Sequence, residues 1–392
     1  MRPVLLSALP VVVAPLILAL LAARHVSGFG HRGLAMSTFL GPSRRIGTSR
    51  RQPQRQQHQQ HFRRCSPRLA MTATGEDEWV FDVLFTGTGQ SSSVPLLKHA
   101  VRGTCKVCND ALMRPGSKNK RNNVSCAIIK RKKSTPVGET PRIAALIDCG
   151  KTFREVVLNL FPRYGLQEVG ALLLTHGHAD AILGMDDLRD LQLYEHVDPG
   201  VRFPSGPINV FLHEATMAAV KLRFDYLTNK PVYLNEAMGV LERPVSYLKF
   251  NVIETDADID SGATDGVPVR ALPVLHGGDY ICLGFGVGRP GEFVYLSDVK
   301  NIPEKTMSYL KSLPKIKTLV VDCIKMTTGN FAHAAFEEVR GWVDELKPDK
   351  VWLVGMGCGI GEHDDANRRI HEMGYPMVEL AYDGLYVEGF SL

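Results

Sequence analysis

From about Glu76 onward the chain is a succession of short apolar runs separated by polar and glycine-rich punctuation. The runs WVFDVLFTG, VSCAIIK and RIAALIDCG read as strands. Strands and helices then alternate: strand VGALLLTH, a helix from Ala181 to about Tyr194, strand INVFL, a helix from Glu214 to about Leu227, and strand YLKFNVIET. Ile182, Met185, Leu188 and Leu191 give the first of these helices its apolar stripe. The second half starts again with strands, VPVRALPVL, ICLGFGVG and EFVYLSD. It continues with a helix over 303–312, strand TLVVDCI, a helix over 333–346, strand KVWLVGM, a helix over 363–373 and a last pair of strands around AYDGLYV. Two halves built alike, strands before helices, predict an α/β fold in which two sheets pack face to face with helices outside, a four-layer αββα sandwich. No internal repeat interrupts this plan.

The 392 residues suffice for one large domain or two modest ones, with ample apolar material for a core. Composition changes the picture mainly at the N-terminus. Residues 3–23, PVLLSALPVVVAPLILALLAA, follow Arg2 and precede the small residues Val26, Ser27 and Gly28. Pro10 and Pro15 interrupt the run, which suits a signal-peptide core better than a transmembrane anchor. The next stretch is rich in Arg, Ser and Gln and free of acids, too polar to fold, with the composition of an organellar transit peptide. The expected organisation is a signal peptide over 1–28, a basic transit segment over 29–75 and one folded domain over 76–392. Such a leader resembles the two-part address of proteins imported into secondary plastids of algae; secretion with a disordered basic tail is the alternative. The formal charge of +5 misleads for the same reason: residues 1–75 hold eleven Arg, no Lys and no acid, so the remainder carries 35 basic residues against 41 acids, about −6. That balance argues against a nucleic-acid partner. No membrane partner is expected after processing, and the oligomeric state is left open, a homodimer included.

Candidate chemistry concentrates in LLLTHGHADAILGMDDLR. Residues i and i+2 of extended backbone point the same way, so His176 and His178 at the end of ALLLT can grip one ion, with Asp180 where the N-cap of the next helix would be. Two imidazoles and a carboxylate in five residues, after an apolar strand and before an amphipathic helix, point to metal ligation. His276, before two glycines, and Asp298, just past EFVYL, add strand-end candidates, though either alone reads as a turn cap. Together they suit a borderline divalent cation, zinc or manganese. Of the eight cysteines, Cys126, Cys149, Cys282 and Cys323 lie in apolar runs and read as buried thiols, and no disulfide framework is expected. Cys105, Cys108 and Cys358 lie in polar or Gly-rich surroundings. The basic stretches RPGSKNKRNN and KRKK (130–133) either attract a phosphate-bearing substrate or form a solvated loop.

Eight segments in order, LFTGTGQSSSVP, CKVC, RPGSKNKRNNVS, LIDCGKTFRE, LTHGHADAILGMDDLRD, PVLHGGDYICLGFGVG, YLSDVKNIPEKT and AYDGLYV, resemble the metallo-beta-lactamase fold hydrolases. They resemble in particular the plant and fungal branch related to the phosphoribosyl cyclic phosphodiesterase of phosphonate breakdown. The resemblance implies that His176, His178, His276 and Asp298 hold a first metal, that Asp180 and a bridging Asp298 serve a second, and that Asp148 orients the ligand histidines. Ala181 and Gly355 stand where relatives have histidines for the second metal, and Asn330 where they carry a proton-moving histidine; His333 or His363 would substitute as the general acid. The cyclic phosphodiesterase also holds a structural zinc on three cysteines and a histidine. Cys105 and Cys108 retain its C-x₂-C pair, His99 stands about where plant relatives show the third cysteine, and Cys358 falls where the histidine would be. The exchange keeps three thiolates and one imidazole, a set zinc accepts; the pair alone reads equally as free thiols or as a disulfide.

The implied activity is metal-dependent hydrolysis of a small phosphodiester or cyclic phosphate. Thioester or lactone hydrolysis and a non-catalytic metal-binding role are the alternatives. Residues 1 to roughly 70 are expected to be absent from the mature protein; N-terminal sequencing of natural protein checks this, and a fluorescent reporter fused to residues 1–75 separates plastid import from secretion.

Overall fold

The computed structural model describes residues 78–198, 201–228, 234–235, 240–241 and 245–392, so the leader lies outside the described residues. In the first half run β1 (Trp79–Gly87), β2 (Ser125–Lys132), β3 (Ala145–Ile147), β4 (Ala171–Leu173), β5 (Ile208–Leu212) and β6 (Leu248–Val252). The second half supplies β7 (Asp258–Ile259), β8 (Val269–Leu275), β9 (Ile281–Val287), β10 (Phe293–Leu296), β11 (Thr318–Asp322), β12 (Lys350–Val354) and β13 (Val378–Leu380). β14 (Tyr386–Ser391) then returns to the first sheet, whose order is β6-β5-β4-β3-β2-β1-β14; the second runs β7 to β13 in sequence. The predicted last pair of strands is therefore divided, β13 closing one sheet and β14 the other.

The strands carry side chains into three apolar layers. Phe81, Phe85, Cys126 and Ile128 of the first sheet meet Ala271, Phe285, Phe293 and Tyr295 of the second in a middle layer. On the outer face of the first sheet, Leu146, Leu172 and Val210 pack with Phe153, Val156 and Leu160 of helix α3 (Phe153–Leu160) and with later helical turns. On the outer face of the second, Leu319, Val321 and Leu353 pack against the helices Glu304–Ser312, Phe336–Leu346 and His363–Glu372. The four-layer α/β sandwich is present, with both sheets reading as near-continuous apolar runs because both faces are covered. Among the described residues no helix is long and apolar enough to cross a membrane.

Three helices depart from the sequence pattern for local reasons. The helix predicted over 181–194 is a single turn, α4 (Ala179–Ile182), followed by 3₁₀ turns over Met185–Leu191, and His178 rather than Asp180 occupies the N-cap position. Gly184 ends the turn: its N–H donates to Cys149 O at 2.7 Å, and a Cβ there would lie 2.4 Å from that of Phe153. Ile182, Met185, Leu188 and Leu191 are nevertheless all buried, since core contact survives the change of helix type. The 214–227 helix breaks at Phe224. The 333–346 helix starts three residues late because residues 333–335 turn back toward the second sheet, where Ala334 N–H donates to Val299 O. Two helices in the C-x₂-C region, α1 (Leu97–Arg102) and α2 (Lys106–Met113), carry no predicted counterpart.

Asp82 ties the edge strands together. Its buried carboxylate accepts from Arg131 of β2, from Tyr386 Oη at 2.7 Å and from Gly389 N–H at 2.8 Å, both on β14. Removing one partner of a buried ion pair strands the other, so Asp82→Ala is expected to lower stability by about 3–5 kcal/mol, measured by denaturant unfolding.

Candidate metal centre

Asp148 and His176 follow the parallel strands β3 and β4, His276 and Asp298 follow β8 and β10, and Asp322 ends β11. Five polar groups are thereby delivered to the carboxyl ends of strands, the edge where α/β sheets bind ligands. Asp148 (φ 58°) and Asp298 (φ 51°) adopt the left-handed conformation that Asp tolerates better than most residues. Asp148 accepts from Thr175 N–H at 2.9 Å and from Thr175 Oγ1 at 2.7 Å. Having given its one proton to the carboxylate, the Thr175 hydroxyl accepts from His176 Nδ1 at 2.9 Å, which leaves the His176 Nε2 lone pair bare. His276 Nδ1 likewise donates to Ala332 O at 3.0 Å.

The bare atoms converge. His176 Nε2 lies 3.5 Å from Asp298 Oδ2 and 4.0 Å from Asp180 Oδ1, and His276 Nε2 lies 3.6 Å from Asp298 Oδ2. His176 Nε2, Asp180 Oδ1 and Asp298 Oδ2 are buried without a hydrogen-bond partner. Their separations are too long for hydrogen bonds, whereas two ligands about 2.1 Å from a tetrahedral ion stand roughly 3.4 Å apart. The donors of His176, His178 and His276 also lie within 4.8 Å of one another. The donor set fits a divalent cation. Burial holds His176 down to about 3, hence neutral, and burial with the Asp298 charge raises Asp180. Burial opposes ionisation of Asp298 too, but the surrounding imidazoles, His176 foremost, hold it below its ordinary value. Tyr280, which sequence reasoning missed, stacks on the exposed ring of His178 at 5.1 Å and receives Gly177 N–H at 3.3 Å.

Asp180 shares its neighbours with the main cluster, the group His176, Asp180 and Asp298, and Ala181 beside it is buried without a donor. At position 355 the reason for glycine is steric: with φ at 68°, a Cβ would lie 2.1 Å from Asp322 Oδ1. Asp322, also missed, accepts from His333 Nδ1 at 2.7 Å and from Val299 N–H at 3.1 Å. Burial lifts Asp322 to about 6; burial works against a charged His333, yet Asp322 raises it to about 9. The His333 ring lies 4.7 Å from that of His276. Asn330 Oδ1 receives the N–H groups of Ala332 and His333, shaping the turn that presents this imidazole. His363 is not brought to this centre. Its N–H donates to Asn119 Oδ1, its ring meets Tyr382 edge-on, and burial, reinforced by Arg121 and Lys118, holds it down to about 4.

His99, Cys105, Cys108 and Cys358 form a second cluster, all donors within 4.8 Å, with the Cys108 and Cys358 sulfurs each 3.5 Å from His99 Nδ1. None of these cysteines is in a disulfide. Thiolate and imidazole ligands of one tetrahedral zinc stand about 3.5 Å apart, so this set fits as well. The charges of the basic stretches are in part taken up locally. In RPGSKNKRNN, Ser117, Asn119, Arg121, Asn122 and Asn123 are buried, and Lys118 and Lys120 pair with Asp364 and Glu155. KRKK lies at the far end of β2, where Arg131 pairs with Asp82.

Comparison with known proteins places the architecture. A new diphosphatase from the PhnP family superposes with a TM-score of 0.59 at 22% identity, covering 80% of this chain and 98% of that one. Zn(2+)-bound PqqB from Methylobacterium extorquens gives 0.55 at 16% identity, covering 79% and 100%. At these identities the likeness shows the fold. The Octanoyltransferase of Porphyromonas gingivalis (strain ATCC BAA-308 / W83) is 24% identical over 303 residues, 77% of this chain and 50% of that protein, so the chain spans about half the length of the curated relative it matches. The family model for the beta-lactamase superfamily domain matches residues 144–356, more than half of the chain and all of its strand-end ligands. With the two facing sheets and the convergent donors that this fold uses for divalent metal, the chain belongs to the beta-lactamase superfamily, as a hydrolase of the metallo-beta-lactamase fold.

Proposed function

We propose that the protein is a metal-dependent phosphodiesterase acting on a small phosphodiester or cyclic phosphate, as its resemblance to the phosphoribosyl cyclic phosphodiesterase branch implies. One observation carries the reading: three buried donors without partners converge with His178 and His276, and a second imidazole–carboxylate pair, His333 and Asp322, stands beside them. His176, His178, His276 and Asp298 would hold a divalent cation, zinc or manganese, which would supply an activated water at neutral pH and offset developing negative charge. Asp148 and Thr175 fix the tautomer of His176, and Ala332 fixes that of His276. His333, oriented through Nδ1 by Asp322, holds a proton at Nε2 and delivers it to the leaving oxygen. A cavity of about 610 Å³ lined by Gln90, Ser92, Leu96, Leu97, Lys98 and Lys151 supports an anionic substrate. Lys151 follows the turn whose Cys149 N–H donates to Ala181 O, and its charge reaches Asp180. The name of the diphosphatase neighbour supports phosphoryl chemistry. Hydrolysis of an acyl thioester or lactone at the same site is the second reading, favoured by the octanoyltransferase relative; a metal-binding protein without turnover is the third. The second cluster takes a structural zinc, residues 76–392 are the mature hydrolase domain, and the leader directs it to a plastid, with secretion as the alternative.

With zinc or manganese the protein is expected to hydrolyse bis-p-nitrophenyl phosphate, and His176→Ala with His178→Ala to abolish turnover. Hydrolysis confined to thioesters selects the second reading; no turnover above the double variant on either panel selects the third. Asp180→Asn is expected to reduce activity more than metal content, because three imidazoles and Asp298 already complete four-coordination; rate and metal analysis of one sample decide it.

The two candidate acids separate by pH and rate. His333→Asn is expected to lower kcat roughly 10²–10⁴-fold, and a wild-type rate would sink the proton role. His363→Gln is expected to spare kcat and to change stability instead. Its folded value, about 4, lies below the ordinary 6.5, so wild-type stability is full above 6.5 and falls as pH drops toward 4. Denaturant unfolding across that window should show a flatter profile in His363→Gln.

A further inference from the structure

Arg121 is the largest fully buried side chain of the described residues. A buried arginine ordinarily pairs with a carboxylate. This one does not: Nη1 donates to Gly357 O at 2.9 Å, Nη2 reaches Asn119 Oδ1 at 3.4 Å, and Nε has no partner. Asp383 is within electrostatic reach, but its carboxylate accepts from Thr88 Oγ1 and from the backbone and side-chain N–H groups of Asn122. The other groups within electrostatic reach of the guanidinium are the sulfurs of Cys358 and Cys108, thiols that burial pushes up while no cation is bound.

The backbone explains that proximity. Gly357, which holds Nη1, immediately precedes Cys358. Arg121 also exchanges backbone hydrogen bonds with Val94, whose side chain packs with Val107, Cys108 and Ala111 in the small apolar cluster around the thiols. Arg121 is thus tied through Gly357 to the segment that carries Cys358 and through Val94 to the residues packed around Cys108. Three thiolates and a neutral imidazole around a divalent cation leave one net negative charge, with Cys108 buried and His99, Cys105 and Cys358 half-buried. A partly desolvated anion is stabilised by a paired cation, and a guanidinium is the weakly hydrated cation best suited to its buried side.

We propose that Arg121 is the counter-ion of the thiolate cluster and sets its affinity for metal, an inference that rests on the four-ligand reading above. The underpaired guanidinium on one side and the anionic centre on the other complete each other: without metal and with protonated thiols, Arg121 is a buried cation short of a partner. Because Arg121 also fastens residues 94, 119 and 357, and Met356 beside them exchanges backbone hydrogen bonds with Thr88 and Gln90, the loops on this flank are held in register by the same charge.

Cobalt(II) titration of the full chain tests this, read by thiolate-to-cobalt charge-transfer absorption, which the catalytic centre cannot give because its ligands include no cysteine. Arg121→Met is expected to weaken cobalt binding roughly 10–100-fold, the range for partners surrounding a metal site, and Arg121→Lys to restore most of it. The rise in Tm on adding cobalt should shrink in Arg121→Met while the metal-free Tm holds or rises, since an underpaired buried charge has been removed. Wild-type cobalt affinity in Arg121→Met overturns the proposal. Should that variant not fold, Arg121→Gln, which keeps a donor for Gly357 and loses the charge, is expected to show the same loss, and wild-type affinity there is equally fatal. Absence of the charge-transfer band in the wild type, restored by no added metal, refutes the four-ligand site itself and is distinguishable from either result.

Discussion

Four carboxylates, Asp148, Asp180, Asp298 and Asp322, are buried at one edge of the sheets, and the rest of the centre follows from the need to hold that negative charge away from water. Isolated buried anions are prohibitive, so each must be hydrogen-bonded, paired or placed on a cation. Asp148 is satisfied by Thr175, and one oxygen of Asp322 by His333 and Val299, while its Oδ1 lies beside the empty Cβ site of Gly355 without a partner. Asp180 and Asp298 each keep an oxygen without a partner, facing imidazole nitrogens that are bare as well. Only a cation satisfies both kinds of atom at once. The parallel strands supply the means, because carboxyl ends that lie side by side deliver Asp148, His176, Asp298 and Asp322 to one edge, with Asp180 on the turn after His178.

How much of this could be read from sequence depended on whether the signal was local. The His176-Gly-His178-Ala-Asp180 spacing is local, and so were the strand ends at His276 and Asp298; the structure brings all five together. Thr175, Asp322 and Tyr280 escaped because their roles depend on partners 27, 11 and 103 residues away. For Asp322 a signal existed: a carboxylate closing the apolar run TLVVD must find a buried partner. The basic loop was half legible for the opposite reason. Its charges suggested a surface, while the interleaved Asn and Ser residues, which fold the loop onto itself and bury it, carry the structural information. Helix ends were the least legible part, as expected where glycine packing such as that of Gly184 decides them.

The positions that depart from relatives form a connected set rather than scattered losses. An empty Cβ site at Gly355 makes room for Asp322, Asp322 holds His333, and Asn330 builds the turn on which His333 stands. Imidazole and carboxylate here occupy the flank on which the resemblance would place further metal ligands. His333, held by Asp322, brings a protonatable ring to this flank, so charge there can be met by hydrogen bonding as well as by coordination.

β14 has a consequence for how the protein comes into being. The strand that seals the first sheet beside β1 is far from it in sequence, with Val83 opposite Val387. Until residues 386–391 are available, β1 presents a bare edge, and unpaired edges invite pairing with other chains. A polypeptide emerging from a ribosome must therefore wait for residues 386–391 before that edge is closed. Contacts between segments so distant in sequence also make closure slow, so β1 is an edge that stays open long after it is made.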